Sequence, residues 1–354
     1  FLVHTGNSLY MLRLAPRFEL LWRNYVGAKA SQIEVGAKAV LVGSPDKMVL
    51  LDRETGEQRW EQFPAKESVH QVNKRAKPSK LFAGGYQRVA LGEDAVAAVS
   101  GDTLQVYDLK DGRMLWSNNR YDRRLLFIGF AGGRLAEVFG HSGKETYFAA
   151  YDPRTGARLK TALLQGKEEV DNGPAWLAPD GRHMLYRRKP NTFTWVDLVE
   201  GKNVWNLNVP NLRTTHYSFG LSFAPDGTFQ YWGEGQGNER GWMTLVINPT
   251  EGKVTRRWAG GVVELEDGSK LQFRENYNKV LVRMDAEGKE VWKYTYADRD
   301  IYGYAFVKAF LAKDKARLYM LYARRNDSGI DQFILRTFDW NGGQLLQNDV
   351  LPGA

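Results

Sequence analysis

One phrase recurs along this chain and limits what it can fold into. It is clearest at residues 106–116, VYDLKDGRMLW. An alternating strand ends in Asp108, a tight turn closes on Gly112, and a second strand carries Trp116. Aspartate can bond its own backbone two residues on, and glycine takes the φ > 0 position of a hairpin. The tryptophan is large and flat enough to fill space between neighbouring sheets.

The phrase can be followed from end to end. A degenerate first copy has Phe18 at the glycine slot and ends in Trp22. Then come Asp52, Gly56 and Trp60; the copy at 106–116; Asp152 and Gly156 with Lys160 in the tryptophan slot; and Asp197, Gly201 and Trp205. The sixth copy has Asn248, Gly252 and a late Trp258. The seventh has Asp285, Gly288 and Trp292 with a turn one residue shorter, and the eighth has Asp339 and Gly343 without tryptophan. Aligned positions lie 38, 56, 44, 45, 51, 36 and 55 residues apart. Such intervals suit a propeller blade of four strands, about 40–50 residues long.

Two further strands precede the phrase in each interval, as in LFAGGYQRVAL and DAVAAVS of the third unit. The APDG turns at 178–181 and 224–227 and EDG at 266–268 read as hairpin turns. Residues 302–313, YGYAFVKAFLAK, could be taken for a helix; the surrounding β pattern makes them a first strand instead. The expected fold is therefore all-β: a β-propeller of eight four-stranded blades, with seven as the alternative. Residues 1–354 read as one domain whose first blade lacks its strand A, supplied either from before Phe1 or by the tail NDVLPGA. The chain starts at Phe1 with no visible signal peptide and reads as a processed or trimmed product.

Composition narrows the chemistry. Cysteine is absent, which removes disulfides, thiolate metal sites and cysteine nucleophiles. The five histidines, His4, His70, His141, His183 and His216, have no metal-ligand spacing and read as loop or strand-end residues. GHSGK at 140–144 is not a nucleophile elbow, and GEGQGNERG at 233–241 has no helix after it to hold a phosphate. NDSGID at 326–331 lacks the ligand density of a calcium loop. The repeat aspartates sit in separate turns, so they read as turn residues rather than a converging carboxylate set.

The D-x-x-x-G-x-x-x-W phrase resembles the repeat of the pyrroloquinoline-quinone (PQQ)-like propellers. That family includes quinoprotein alcohol dehydrogenases and the propeller lipoprotein of the outer-membrane assembly machinery. The resemblance implies an eight-bladed fold over the whole chain. The family's enzymes use a quinone, a calcium ion, a vicinal cysteine pair and an aspartate base. This chain has no cysteine and no matching cofactor motif, so the resemblance points to the non-catalytic branch, with no cofactor and no metal. A WD40-type propeller would carry Gly-His and Trp-Asp pairs in each blade, which are lacking here.

The net charge is +8. On the propeller reading, the B–C and D–A loops hold most of it. Residues 61–80 carry five positive against two negative charges, and 118–124, 187–190 and 23–29 carry +2, +3 and +2. The candidate binding residues are thus Lys74, Arg75, Lys77, Arg123, Arg124, Arg187, Arg188 and Lys189. The expected function is a non-enzymatic scaffold that binds a protein or acidic polymer on this face, and a membrane-associated assembly is an expected setting for it. The expected location is the periplasm or another extracytoplasmic space, with the cytoplasm left open. The alternative is a small quinoprotein-like dehydrogenase or lactonase-type hydrolase with its site on the propeller axis. Nucleic acid is disfavoured, because few aromatics interleave the basic stretches, and no apolar run reaches the length of a membrane helix.

Overall fold

The structure is a computed structural model. It describes residues 2–5, 8–13, 19–26, 32–44, 47–63, 86–101, 103–120, 123–141, 145–165, 175–189, 191–210, 212–213, 221–223, 227–235, 241–259, 261–265, 267–274, 280–296, 304–312, 314–326 and 329–352. Among them eight antiparallel sheets follow one another along the chain, one for each copy of the phrase.

The first sheet has three strands, β1 (Leu2–Thr5), β2 (Ser8–Arg13) and β3 (Glu19–Tyr25). The second is β4 (Gln32–Val35), β5 (Ala39–Gly43), β6 (Met48–Asp52) and β7 (Gln58–Gln62). The third is β8 (Tyr86–Leu91), β9 (Ala95–Ser100), β10 (Thr103–Asp108) and β11 (Met114–Asn119). The fourth is β12 (Arg123–Ala131), β13 (Arg134–His141), β14 (Thr146–Tyr151) and β15 (Arg158–Gln165). The fifth is β16 (Ala175–Leu177), β17 (His183–Lys189), β18 (Thr192–Asp197) and β19 (Lys202–Asn208).

In the sixth sheet the first strand is split. β20 (Leu212–Arg213) and β21 (Leu221–Phe223) pair with opposite ends of β22 (Phe229–Gly235), followed by β23 (Gly241–Asn248) and β24 (Lys253–Ala259). The seventh is β25 (Gly261–Glu264), β26 (Lys270–Arg274), β27 (Val280–Met284) and β28 (Glu290–Thr295). The eighth is β29 (Tyr304–Leu311), β30 (Arg317–Asn326), β31 (Gly329–Asp339) and β32 (Leu345–Pro352). Residues 304–311 are a strand, as the β context required, and the tail through Pro352 pairs with β31 as the last strand of its own sheet.

The chain divides into two compact units, residues 1–12 with 19–206 and residues 13–18 with 207–354. In each, the core is a series of layers between consecutive sheets. Within the first unit, Leu9, Met11 and Trp22 pack on Val40, Val42 and Leu51. Leu41, Leu50 and Trp60 pack on Val96, Ala98 and Tyr107, and Val138 and Phe148 on Met184, Tyr186 and Val196. Within the second unit, Leu271, Leu281 and Trp292 pack on Leu318, Met320 and Phe338. Middle strands are covered on both faces, so β9 (AVAAVS) is buried at every position. Outer strands keep a solvent face: β19 alternates between exposed and half-buried along its length.

The repeated phrase explains how the layers are fixed. The turn glycines Gly56, Gly112, Gly156, Gly201, Gly252, Gly288 and Gly343 all have positive φ, between 58° and 90°. The Asp52 carboxylate accepts from the amides of Glu54 and Thr55 at 2.8 and 3.0 Å. Asp152 does the same with Arg154 and Thr155, and Asp197 with Val199 and Glu200. Asp108 takes the Lys110 amide, Asp285 that of Lys289 and Asp339 that of Gly342.

Each docked tryptophan then reaches the next sheet. The indole N–H of Trp22 donates to Arg53 O, Trp60 to Leu109 O, Trp116 to Pro153 O and Trp292 to Trp340 O, at 2.8–2.9 Å. The acceptor is always the residue after the turn aspartate. The ring lies under the turn glycine of that sheet: a Cβ added to Gly56, Gly112, Gly156 or Gly343 would stand 2.6–2.9 Å from it. Where Lys160 occupies the slot, Phe148 lies under Gly201 instead. Where Trp258 comes late, no described residue lies within 4 Å of a Cβ added to Gly288, and Lys270 Nζ donates to the Ala286 carbonyl oxygen at 2.6 Å.

A β-bulge aims the slot. The register of the last two strands shifts by one at Leu50/Leu51, Val106/Tyr107, Ala150/Tyr151, Val246/Ile247, Arg283/Met284 and Thr337/Phe338. One residue on the outer strand is left without a partner each time, immediately before the slot.

Candidate binding site

Of the basic residues singled out in the sequence, some lie on strands and others lie outside the described residues. Lys74, Arg75 and Lys77 lie outside the described residues, as do His70 and His216 and parts of the 140–144, 233–241 and 326–331 loops. Arg123 and Arg124 open strand β12, opposite His141 and Gly140, rather than lying in a loop. Arg187, Arg188 and Lys189 were also expected in a loop. Instead they end strand β17, because its partner β18 already begins at Thr192 and only 190–191 remain for the turn. Arg187 is buried, at 9% exposure, which takes it off the free surface.

The repeat aspartates are spent on their own turns, and His183 is held by Asp180 at 2.7 Å and stacked on Trp195. Among the described residues no three His, Asp or Glu side chains group as metal ligands.

What the structure does bring together lies on first strands. In the first unit β4, β8, β12 and β16, each the first strand of its sheet, stand side by side. They line a pocket of about 110 Å³. Its polar groups are Gln32 and Glu34 from β4 and Arg88 from β8. Its apolar wall comes from Leu91, Phe127, Phe130 and Leu177. Period-2 alternation puts Gln32 and Glu34 on one face of β4.

Two close approaches set the wall. Leu91 packs on Gly36, where an added Cβ would be 2.9 Å from Leu91 Cδ2, and Phe130 packs on Gly92 in the same way. Gln32 fixes the floor by clasping the neighbouring strand. Its Nε2 donates to Val89 O at 2.9 Å and its Oε1 accepts from Val89 N at 3.0 Å. The same Nε2 donates to Glu34 Oε1 at 2.8 Å.

Glu34 and Arg88 face this space with opposite charge but form no ion pair within 4.0 Å among the described residues. The Arg88 backbone is paired with Val99 of β9, and its side chain makes no hydrogen bond to any described residue. Burial raises the Glu34 carboxyl above its usual 4.5, against the Gln32 hydrogen bond and the Arg88 charge. Burial likewise lowers Arg88, with Glu34 opposing. Both are therefore charges under desolvation, each with capacity for another partner. Sequence reasoning passed over them by looking for function in loops. The signal was a polar pair at i, i+2 on a strand otherwise suited to burial.

A second polar cluster is closed. Arg120 and Glu137 are 2% and 0% exposed and paired, and Tyr151 donates to Glu137 at 2.9 Å. It joins the third sheet to the fourth.

The family model PQQ_2, described as outer membrane protein assembly factor BamB, matches residues 14–147. The chain has a β-propeller fold. Two solved structures agree with this fold. Dihydro-heme d1 dehydrogenase NirN in complex with DHE aligns with a TM-score of 0.65 at 14% identity, over 99% of this chain and 73% of that one. BamB from Moraxella catarrhalis aligns with a TM-score of 0.53 at 12% identity, over 94% and 89%. At these identities the likeness is one of fold. No curated protein matches the chain.

Proposed function

We propose that this PQQ-like propeller is a non-enzymatic, BamB-like scaffold that docks an acidic protein partner outside the cytoplasm, as part of an outer-membrane protein assembly. The match of residues 14–147 to the BamB family model is the observation that carries this reading. The repeat chemistry supports its non-catalytic side, since the aspartates are each turned onto the amides of a separate hairpin. The docking face comprises the basic connections, above all 61–80 with Lys74, Arg75 and Lys77, and the β12 entry with Arg123 and Arg124. Longer connections on a rigid scaffold are where binding residues concentrate.

The test is site-specific photocrosslinking from positions 74 and 124 in the cell envelope. A discrete protein adduct is expected, lost when Lys74, Arg75 and Lys77 are changed together to Glu. An adduct indifferent to that change, or a polysaccharide adduct in its place, overturns the reading. So does stoichiometric, saturable binding of pyrroloquinoline quinone with calcium, followed by absorbance.

A further inference from the structure

We propose that the pocket between β4, β8, β12 and β16 is a binding site for a small apolar α-amino acid in its zwitterionic form. This goes beyond the docking role and does not depend on it. The pocket residues are distinct from the basic connections, so either reading can fail alone.

The argument begins with the two charges. An arginine and a glutamate that share a pocket and have no other use for each other ordinarily close into a bidentate pair. Here Glu34 and Arg88 remain more than 4.0 Å apart. Gln32 holds one carboxylate oxygen of Glu34 and is itself pinned by two bonds to the Val89 backbone, so Glu34 is not free to swing across. The second Glu34 oxygen and the whole Arg88 guanidinium are left with open hydrogen-bonding capacity facing the cavity.

An occupant carrying one charge would satisfy one of these groups and leave the other desolvated. An occupant carrying both, a carboxylate for Arg88 and an ammonium for Glu34, satisfies the two together. Guanidinium and carboxylate meet through two parallel N–H···O bonds, and an ammonium offers three donors to the free Glu34 oxygen.

The wall sets the rest of the molecule. Phe127, Phe130, Leu91 and Leu177 offer apolar surface and no polar side-chain atom. The volume, about 110 Å³, is below the roughly 150 Å³ of a cavity known to take benzene. That leaves room for a short branched aliphatic group. A carboxylate, an ammonium and a short aliphatic group on one carbon make an apolar α-amino acid.

Isothermal titration of the whole protein with L-valine, 3-methylbutanoate and isobutylamine tests this. L-Valine is expected to bind saturably, and each analogue, lacking one charge, about tenfold or more weakly. Arg88→Gln should remove the preference for valine over isobutylamine. Glu34→Gln should remove the preference for valine over 3-methylbutanoate. Near-UV circular dichroism establishes that both variants are folded, and Arg88→Lys replaces Arg88→Gln if it is not. No saturable valine binding overturns the proposal. So does an analogue binding as tightly as valine to the unaltered protein, a comparison that needs no variant, or a variant that keeps the full preference.

Discussion

The indole of Trp116 donates its hydrogen to the carbonyl oxygen of Pro153 at 2.9 Å, across 37 residues of sequence and from one sheet to the next. The same ring lies where a side chain on Gly156 would be, so the lock and the glycine that admits it are a single device. Four copies of this device fix sheet against sheet, and their geometry makes definite demands on substitution.

Gly156→Ala should destabilise the fold by about 2–4 kcal/mol. It forces a non-glycine residue to a φ of 73° and drives a methyl to 2.8 Å from the Trp116 ring. Gly288→Ala has the same backbone problem at φ 90° but meets nothing within 4 Å, so it should cost only about 1–2 kcal/mol. Urea denaturation midpoints compare the two. Equal losses would mean that the ring contact contributes nothing.

Trp60→Phe keeps an aromatic in the slot but removes the donor to Leu109 O. The expected loss is about 1–3 kcal/mol, from the orphaned carbonyl and the smaller ring together. Amide hydrogen exchange around 107–112 should accelerate more than exchange in β14, which this lock does not touch.

Glu137→Ala should be among the most damaging changes in the first unit, at about 3–5 kcal/mol, because it strands the buried Arg120 cation. Replacing Arg120 and Glu137 together by methionine should recover most of that loss, since a buried ion pair can be exchanged for apolar packing at little net cost. A double variant as unstable as the single one would show that the pair contributes more than the desolvation it suffers.

Acid should weaken the turns in a defined window. The hydrogen bond from Arg59, followed by those from the Thr55 and Glu54 amides, holds the Asp52 carboxyl down at about 2 against an ordinary 3.8. Because the folded value is the lower one, its stabilising contribution is complete above pH 3.8 and is lost as pH falls through about 2. An NMR titration of the Asp52 carboxyl should show its midpoint near 2. Arg59→Gln should move that midpoint upward.

The repeat was legible because its chemistry is local. An aspartate bonding amides two and three residues on, and a glycine at positive φ, leave a mark at fixed spacing whatever surrounds them. Even the shortened seventh turn could be read, and there Gly288 reaches back three residues to Asp285, where Gly56 reaches back four to Asp52. The bulge before the tryptophan slot left no such mark, since its extra residue is Arg59, Leu115, Leu159, Thr255, Val291 or Leu346. Arg187 was misplaced because a run of cations looks like a loop, whereas strand length is set by the partner strand. The pocket was hidden for a different reason. The Gln32–Glu34 pair, Arg88 and Phe130 are far apart in sequence, and alternation says which side of a strand they take, not what stands opposite.

The bulge has one more consequence. Leu159, Val291 and Leu346, the extra residues at three of its sites, are 45–51% exposed on the outermost strands of their sheets. A straight strand with such side chains and a free row of amides would invite another chain to add itself edge to edge. The bulge breaks the spacing of those amides and twists the rim. The same distortion that seats the indole therefore guards against fibre growth, and a deletion that straightens the rim should be read out as turbidity before it is read out as lost stability.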